Sequence, residues 1–181
     1  MYNKSEIAAA LQAQNLEFQN LFLGVPTSTF FDGSSEKWSV AHHVKHIIGA
    51  VSRIAQGLQN PELLPKREPA TASKDYETLK NTYLHALQTT PPEKLQQLGS
   101  RVALEEYSDA DAYKSQMTSG FSDAITTFNH ALEGFTEENL ESLGMPHPLI
   151  GVISAREMLF FAVYHNTHHH NGIEKLLESR A

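Results

Sequence analysis

Ten histidines stand out in the 181-residue chain, because seven of them fall into two clusters. The later cluster contains His165 and His169, which are four residues apart. On a helix, residues at this spacing lie one turn apart on the same face. Two imidazoles placed in this way can bind one metal ion, at about 2.0–2.1 Å from each nitrogen. The spacing therefore predicts a metal site that takes two ligands from one helix and needs others from elsewhere.

The same two histidines interrupt an apolar stripe. Residues 154–157, Ser-Ala-Arg-Glu, have the pattern of a capping box, which predicts that a helix begins there. The apolar face of this helix passes through both histidines and consists of Met158, Ala162, His165, His169, Ile173 and Leu176. A helical bundle ordinarily carries leucine at such positions. Since a buried imidazole without a partner is costly, the placement favours a metal site over histidines that only fill space.

The earlier histidine cluster lies on a second predicted helix, which could supply a third ligand. This helix begins at Trp38-Ser39, and its apolar stripe is formed by Val40, Val44, Ile47, Val51, Ile54 and Leu58. On a helical wheel His43 lies nearest the centre of the stripe, His46 lies on its flank and His42 lies further round. Periodicity alone therefore favours His43 and does not select His46.

The composition excludes several classes of chemistry. The chain contains no cysteine, which rules out disulfides, thiolate ligands and cysteine nucleophiles. Fourteen basic and twenty-one acidic residues give a formal net charge of −7, so we expect no nucleic-acid partner. No apolar stretch reaches the roughly twenty residues that span a bilayer, and residues 1–6 lack the basic start and apolar run of a secretion signal. We therefore expect a cytoplasmic protein without a membrane partner.

The hydrophobic pattern predicts an all-α fold in a single domain over residues 1–181. Apolar residues at helical spacing predict helices from Asn3 or Ser5 to about Phe22, and over about 39–59, 73–90, 109–134 and 155–177. Residues 60–72 are predicted to form a surface loop, and 93–107 a short turn of helix followed by irregular chain. No strand pattern is evident. We expect a four-helix bundle with one or two additional short helices.

Segments in both histidine clusters resemble the DinB-like (YfiT-like) superfamily. In the first, Trp38-Ser39-Val40 is followed, eight residues after the tryptophan, by His46 and the aliphatic Ile47. The second, residues 165–169, has the family's H-x-x-H-H pattern. The stretch 145–159 also resembles the family's entry to its final helix. By element order the resemblance covers nearly the whole chain, and these segments are its specific part.

The resemblance implies a DinB-like bundle in which His46, His165 and His169 are the metal ligands. The family often has a basic residue, a glycine and a glutamine after the double histidine, where this chain has His-Asn-Gly at residues 170–172. The difference at residues 170–172 does not affect the three implied ligands, but the resemblance then implies no substrate contact from this turn.

A site of three neutral imidazoles would leave the charge of a divalent ion uncompensated, which makes the ion a good Lewis acid. The resemblance then implies a metal-dependent enzyme, either a hydrolase that uses metal-activated water or a transferase of a low-molecular-weight thiol, toward which characterised relatives lean. We expect zinc or nickel in the site, with iron or copper also accepted, a small-molecule substrate and a homodimer. The sequence has no glycine-rich phosphate loop or G-x-S-x-G elbow, and it identifies no general base.

Two other hypotheses remain open at this point. In one, the protein is a non-enzymatic bundle of stress-response type that binds a metal or small ligand. In the other, the histidines are structural and the bundle is an interaction scaffold.

The remaining histidines have less specific interpretations. His42 is either an auxiliary ligand or exposed, and His43 either packs in the core or hydrogen-bonds to the site. His168 either supports the site or lies at the bundle edge, and His170 is predicted to face solvent. The other three have no companion at ligand spacing: His85, His130 and His147.

Overall fold

The computed structural model describes residues 3–33, 38–67, 72–99 and 104–180. Its helices are α1 Lys4–Gly24, α2 Thr27–Phe31, α3 Val40–Gln59, α4 Tyr76–Thr89, α5 Pro92–Gly99, α6 Ala110–Glu133, α7 Glu137–Ser142 and α8 Ala155–Glu178. A 3₁₀ helix, Pro61–Leu63, follows α3, and two strands, β1 Gly144–His147 and β2 Gly151–Ser154, precede α8. The all-α class predicted from the sequence is confirmed. Residues 68–71 and 100–103, which belong to the predicted loop and to the segment 93–107, lie outside the described residues.

Helices α1, α3, α6 and α8 form a four-helix bundle. Each of α3 and α1 packs against both α6 and α8, so the four contacts close into a ring. Helices α3 and α8 are antiparallel, because His43 lies beside His169 and His46 beside His165. The apolar faces of these helices meet in one continuous core, as expected for amphipathic helices of this length. The described helices include none with the length and apolar composition of a membrane span.

More short helices accompany the bundle than the one or two predicted. Helix α4 packs on α8 from outside the bundle, while α2, α5 and α7 fill the connections. Helix α2 escapes prediction because five residues after Pro26 are too short to show a period, although Phe30 is fully buried. Helix α1 extends two residues beyond the predicted end at Phe22, to Gly24.

Polar side chains begin the main helices at the predicted places. Ser154 and Glu157 form the capping box of α8, and Asp109 caps α6. At α3 the Ser39 hydroxyl accepts from the His42 amide, and the His42 ring accepts from the Ser39 amide. The boundaries of both histidine-bearing helices are therefore set by local capping chemistry.

The prediction that no strand is present was wrong. Strands β1 and β2 pair antiparallel, with Gly144 opposite Ser154 and His147 opposite Gly151. Each has only four residues, too few to show an alternating pattern in sequence. Gly151 has a φ of 75°, which glycine adopts without the steric cost that a side chain brings. The hairpin leads directly into the cap of α8.

A buried polar network anchors the N-terminus of α8. Glu157 is 1 % exposed, and its carboxylate accepts from the Ser154 amide at 2.7 Å and from the Lys74 amide and ammonium at 2.9 and 3.1 Å. Arg156 pairs with Glu137 at 2.5 Å and also with Glu141. Burial would raise the pKa of Glu157, but the hydrogen bonds from Lys74 and Ser154 lower it. The network fixes the first turn of α8, as the predicted capping role of Glu157 requires.

A second set of hydrogen bonds fixes the rotation of α8 about its own axis. The Gln14 side chain on α1 donates to the Val163 carbonyl at 2.8 Å and to the Thr167 hydroxyl at 2.9 Å. It also accepts from the fully buried Asn166 at 3.3 Å. Since residues 163, 166 and 167 face α1, residues 165 and 169 on the other side of α8 face α3.

Candidate metal centre

Three histidine side chains converge between α3 and α8. His46 Nε2 lies 3.0 Å from His165 Nε2, which in turn lies 3.1 Å from His169 Nε2. Each ring offers one nitrogen to the group, and all of these atoms lie within 4.8 Å of one another. His165 and His169 are buried, at 4 % and 7 % exposed, while His46 is half-buried. Within the described residues, these three side chains form a group that could hold a metal ion.

The nitrogen separations fit an ion at their centre. Tetrahedral ligands at about 2.0–2.1 Å from a metal lie about 3.3–3.4 Å from each other. The observed 3.0 and 3.1 Å are within a few tenths of an ångström of that spacing. A neutral imidazole whose proton is on Nδ1 presents the lone pair of Nε2, which is the donor that a divalent ion takes from histidine. Geometry and donor chemistry therefore both suit a divalent ion.

The three rings are neutral near pH 7, which is the form that binds metal. Burial lowers the pKa of His46 to about 4, with the charge of Arg53 acting in the same direction. Burial also lowers the pKa of His165 and His169 well below the ordinary value, and the neighbouring histidines add to the effect. No proton needs to leave these rings at neutral pH before an ion enters.

His43 lies behind His169 and outside the three-histidine group. Its Nδ1 is 2.9 Å from Nδ1 of His169. If His169 turns its Nε2 lone pair to an ion, its proton is on Nδ1 and is donated to His43, which then carries its own proton on Nε2. Outer hydrogen bonds of this kind orient a ligating histidine and fix its tautomer. The structure thus gives His43 the role of hydrogen-bond partner, one of the two that the sequence left open.

Gly172 makes room for His43, which the sequence did not indicate. A Cβ atom at residue 172 would lie 3.1 Å from Cε1 of the His43 ring, closer than ordinary van der Waals contact. A glycine inside a helix costs about 1 kcal/mol relative to alanine, so its presence in α8 calls for a reason. The signal in the sequence that could have indicated this contact is a glycine in the middle of a predicted helix, three residues after His169.

Aromatic rings enclose the group on two sides. The Trp38 ring lies 5.1 Å from His46 and stacks on His169 at 5.8 Å with an interplanar angle of 15°. Phe161, one turn before His165 on α8, lies 4.8 Å from that ring. These walls reduce contact with water and strengthen electrostatic interactions inside the site. The W-S-V segment therefore contributes an aromatic wall and a helix cap beside the candidate ligand His46.

His42, His168 and His170 do not join the group. The His42 ring is engaged with Ser39, whose hydroxyl lies 2.7 Å away, so the auxiliary-ligand alternative is not supported. His168 is exposed at the edge of the bundle, with its ring 5.3 Å from that of His169. The prediction that His170 faces solvent was wrong, because its side chain is only 19 % exposed and packs edge-on against Phe18 at 5.1 Å.

His147 is buried near the group but belongs to the hairpin turn. Its Nδ1 accepts from the amides of Leu149 and Ile150 at 3.1 and 3.3 Å, and its ring lies 4.3 Å from Phe161. Two amide donors require a lone pair on Nδ1, so the proton is on Nε2. Burial lowers the pKa of His147 to about 4. No feature of the sequence indicated this contact between His147 and the turn.

The site carries no balancing negative charge of its own. The three-histidine group includes no carboxylate among the described residues. Burial lowers the pKa of His46, and the charge of Arg53 adds to this effect. At His165 burial and the neighbouring histidines lower the pKa more than Arg53 does. A divalent ion held here would keep its full charge and would favour an anionic fourth ligand.

Comparisons with known proteins returned no matching family model, no matching curated protein and no matching solved structure. The resemblance to the DinB-like superfamily therefore rests on the motifs of the two histidine clusters and stays a prediction.

Proposed function

We propose that this protein is a metal-dependent enzyme of the DinB-like class that transfers a small thiol to an electrophile. The observation that carries the proposal is the group of three imidazoles, His46, His165 and His169, without a carboxylate among the described residues. An ion bound there would act as a Lewis acid that lowers the pKa of a bound thiol or water. Zinc and nickel both suit a site of imidazole donors.

The residues around the group support a role beyond simple metal storage. Half-buried His46 leaves one side of the group accessible, whereas structural metal sites are ordinarily closed by four protein ligands. Trp38 and Phe161 exclude water from the flanks. Three protein ligands, an accessible side and apolar walls together form the arrangement that an enzyme needs to admit a substrate.

Thiol transfer suits the charge of the site. The positive surroundings favour the thiolate form of a ligand, and no separate carboxylate base is required when the thiol loses its proton on binding. In the overall reaction the sulfur–carbon bond forms as the leaving group departs from the electrophile, and the thiol proton passes to solvent. His46, His165 and His169 would hold the ion, and the ion would supply the positive charge that favours the thiolate.

The test uses protein purified without a polyhistidine tag. Elemental analysis measures bound metal, and zinc-loaded protein is then assayed with 2-mercaptoethanol and 1-chloro-2,4-dinitrobenzene for conjugate formation. We expect conjugation above the uncatalysed rate in zinc-loaded wild type, and none in metal-free protein or in His165→Ala. His85→Ala removes an exposed histidine of α4 and should behave as wild type.

Three results would overturn the proposal. Equal conjugation rates with and without zinc would exclude metal-dependent thiol transfer. Zinc-dependent cleavage of p-nitrophenyl acetate without conjugation would assign the site to hydrolysis instead, and bound metal without either activity would favour the non-enzymatic alternative.

A further inference from the structure

Arg53 lies on the same face of α3 as His46, two turns further along the helix. The spacing of seven residues places both side chains on one side of α3. Helices α3 and α8 are antiparallel, so the turn of α3 from Gly49 to Arg53 runs beside the turn of α8 that precedes His165. The wall residue Phe161 belongs to that turn of α8. Arg53 therefore branches from the helix face that carries the histidine group, about 10 Å from His46 along the helix axis.

The guanidinium of Arg53 folds back along the helix toward His46. Its Nη1 and Nη2 atoms lie 3.6 and 3.8 Å from the position that a Cβ atom of Gly49 would occupy. Gly49 is three residues beyond His46, which is about 4.5 Å along the helix axis.

The other described arginines are engaged, whereas Arg53 is not. Arg156 pairs with Glu137 and Glu141, Arg180 with Asp32, and Arg67 donates to the Glu141 carbonyl. Among the described residues no carboxylate lies within ion-pair distance of Arg53. Its side chain is exposed, so all of its donors are available to a ligand.

We propose that Arg53 binds the carboxylate of a small thiol whose sulfur is held at the three-histidine group, and so selects anionic thiols. A guanidinium presents paired donors that match a carboxylate, which a neutral ligand cannot use. This inference rests on the proposed thiol-binding function. It adds that the substrate is anionic and that Arg53 recognises its charge.

The test compares two thiols that differ in one group, 3-mercaptopropionate and 3-mercapto-1-propanol. Isothermal titration calorimetry with zinc-loaded protein gives a dissociation constant for each, and Co²⁺-loaded protein shows by its near-ultraviolet absorption whether the sulfur reaches the metal. The quantity of interest is the ratio of the two constants, because intrinsic differences between the thiols cancel when wild type and variants are compared. We expect Arg53→Gln to lower the preference for 3-mercaptopropionate about fivefold, with binding of 3-mercapto-1-propanol unchanged.

Two further variants complete the comparison. Arg53→Lys keeps the charge but not the paired donors, and it should retain part of the preference. Arg180→Gln removes the same charge from the far end of α8, where Arg180 pairs with Asp32 at 3.1 Å, and should leave the ratio unchanged.

The outcomes separate this inference from the function on which it rests. If both thiols bind but the ratio is the same in wild type and Arg53→Gln, the role of Arg53 is excluded and thiol binding stands. If Arg180→Gln lowers the ratio as much as Arg53→Gln, the effect is one of net charge and the inference fails. If neither thiol binds to zinc-loaded wild type, thiol binding and the role of Arg53 fall together.

Discussion

Nδ1 of His43 lies 2.9 Å from Nδ1 of His169, so each ring restricts the tautomer of the other. This contact connects the two histidine clusters outside the group that faces a metal. It also explains why His43 lies so near the centre of the apolar stripe of α3. His43 and His46 are both half-buried, and the ring of His43 supports the candidate ligand His169 from behind.

Metal binding should stabilise the folded protein. Zinc at about one hundred times its dissociation constant adds about 2.7 kcal/mol, which corresponds to a rise of about 5–10 °C in the melting temperature of a chain of this size. The rise should be absent in His46→Ala, His165→Ala and His169→Ala. The exposed His85→Ala is the matched control and should keep the full shift. An equal shift in all four variants would place the metal elsewhere.

Replacing His43 should weaken metal binding without removing a ligand. His43→Leu fills the space of the ring with an apolar side chain and removes the hydrogen-bond acceptor for His169. Loss of such an outer partner costs about 10- to 100-fold in metal affinity. Competition with a chromogenic zinc chelator measures the change, with His85→Leu as control. An affinity equal to that of wild type would show that the contact between His43 and His169 does not position the ligand.

Substitution of Gly172 should act on the same contact from the other side. Gly172→Ala gains helix propensity, but its Cβ would press on Cε1 of His43 from 3.1 Å. We expect zinc affinity to fall by up to about tenfold, the low end of the effect of losing an outer partner. Gly120→Ala on α6 is the control, since its nearest side-chain atom, Cδ1 of Ile48, is 3.8 Å away. That variant should gain about 0.5–1 kcal/mol in stability and keep its zinc affinity.

Stability of the metal-free protein should fall as the pH decreases from about 6.5 to 4. His147 has a pKa of about 4 in the folded chain, owing to burial, and an ordinary value near 6.5 when unfolded. Within this window the unfolded state binds a proton that the folded state does not, so acidification favours unfolding. Since other buried histidines act in the same direction, the contribution of His147 must be found by difference.

His147→Asn isolates that contribution. An asparagine oxygen can accept from the amides of Leu149 and Ile150 in place of Nδ1, so the turn is retained while the titration is removed. Urea unfolding between pH 4 and 6.5 should show a slope smaller by up to about 1.4 kcal/mol per pH unit than in wild type. Parallel curves for the two proteins would contradict the shifted pKa of His147.

The main helices and the spacing of the histidine pair on the last helix could be predicted from the sequence, because both depend on local rules. Ser39, Asp109 and Ser154 cap their helices through contacts within three residues, and such contacts are visible in a linear sequence. The pair His165 and His169 needs only the helical repeat. Each of these predictions depended on a single element.

The features that escaped prediction depend on how elements pack. Whether His46 or His43 meets His165 is decided by the rotation of α3 against α8. The hydrophobic periodicity of a single helix does not determine this rotation. Only the resemblance pointed to His46. The space that Gly172 leaves for His43 likewise depends on how α8 packs against α3. The hairpin β1–β2 was missed for a different reason, since strands of four residues are too short to show alternation.

The separation of the candidate ligands along the chain has a kinetic consequence. His46 and His165 are 119 residues apart, so a long loop must close before their rings meet. Contacts between such distant residues carry a large loop-closure entropy and tend to form late in folding. A metal that bridges them would stabilise the native state more than the folding transition state. Zinc should therefore slow unfolding while leaving the refolding rate nearly unchanged.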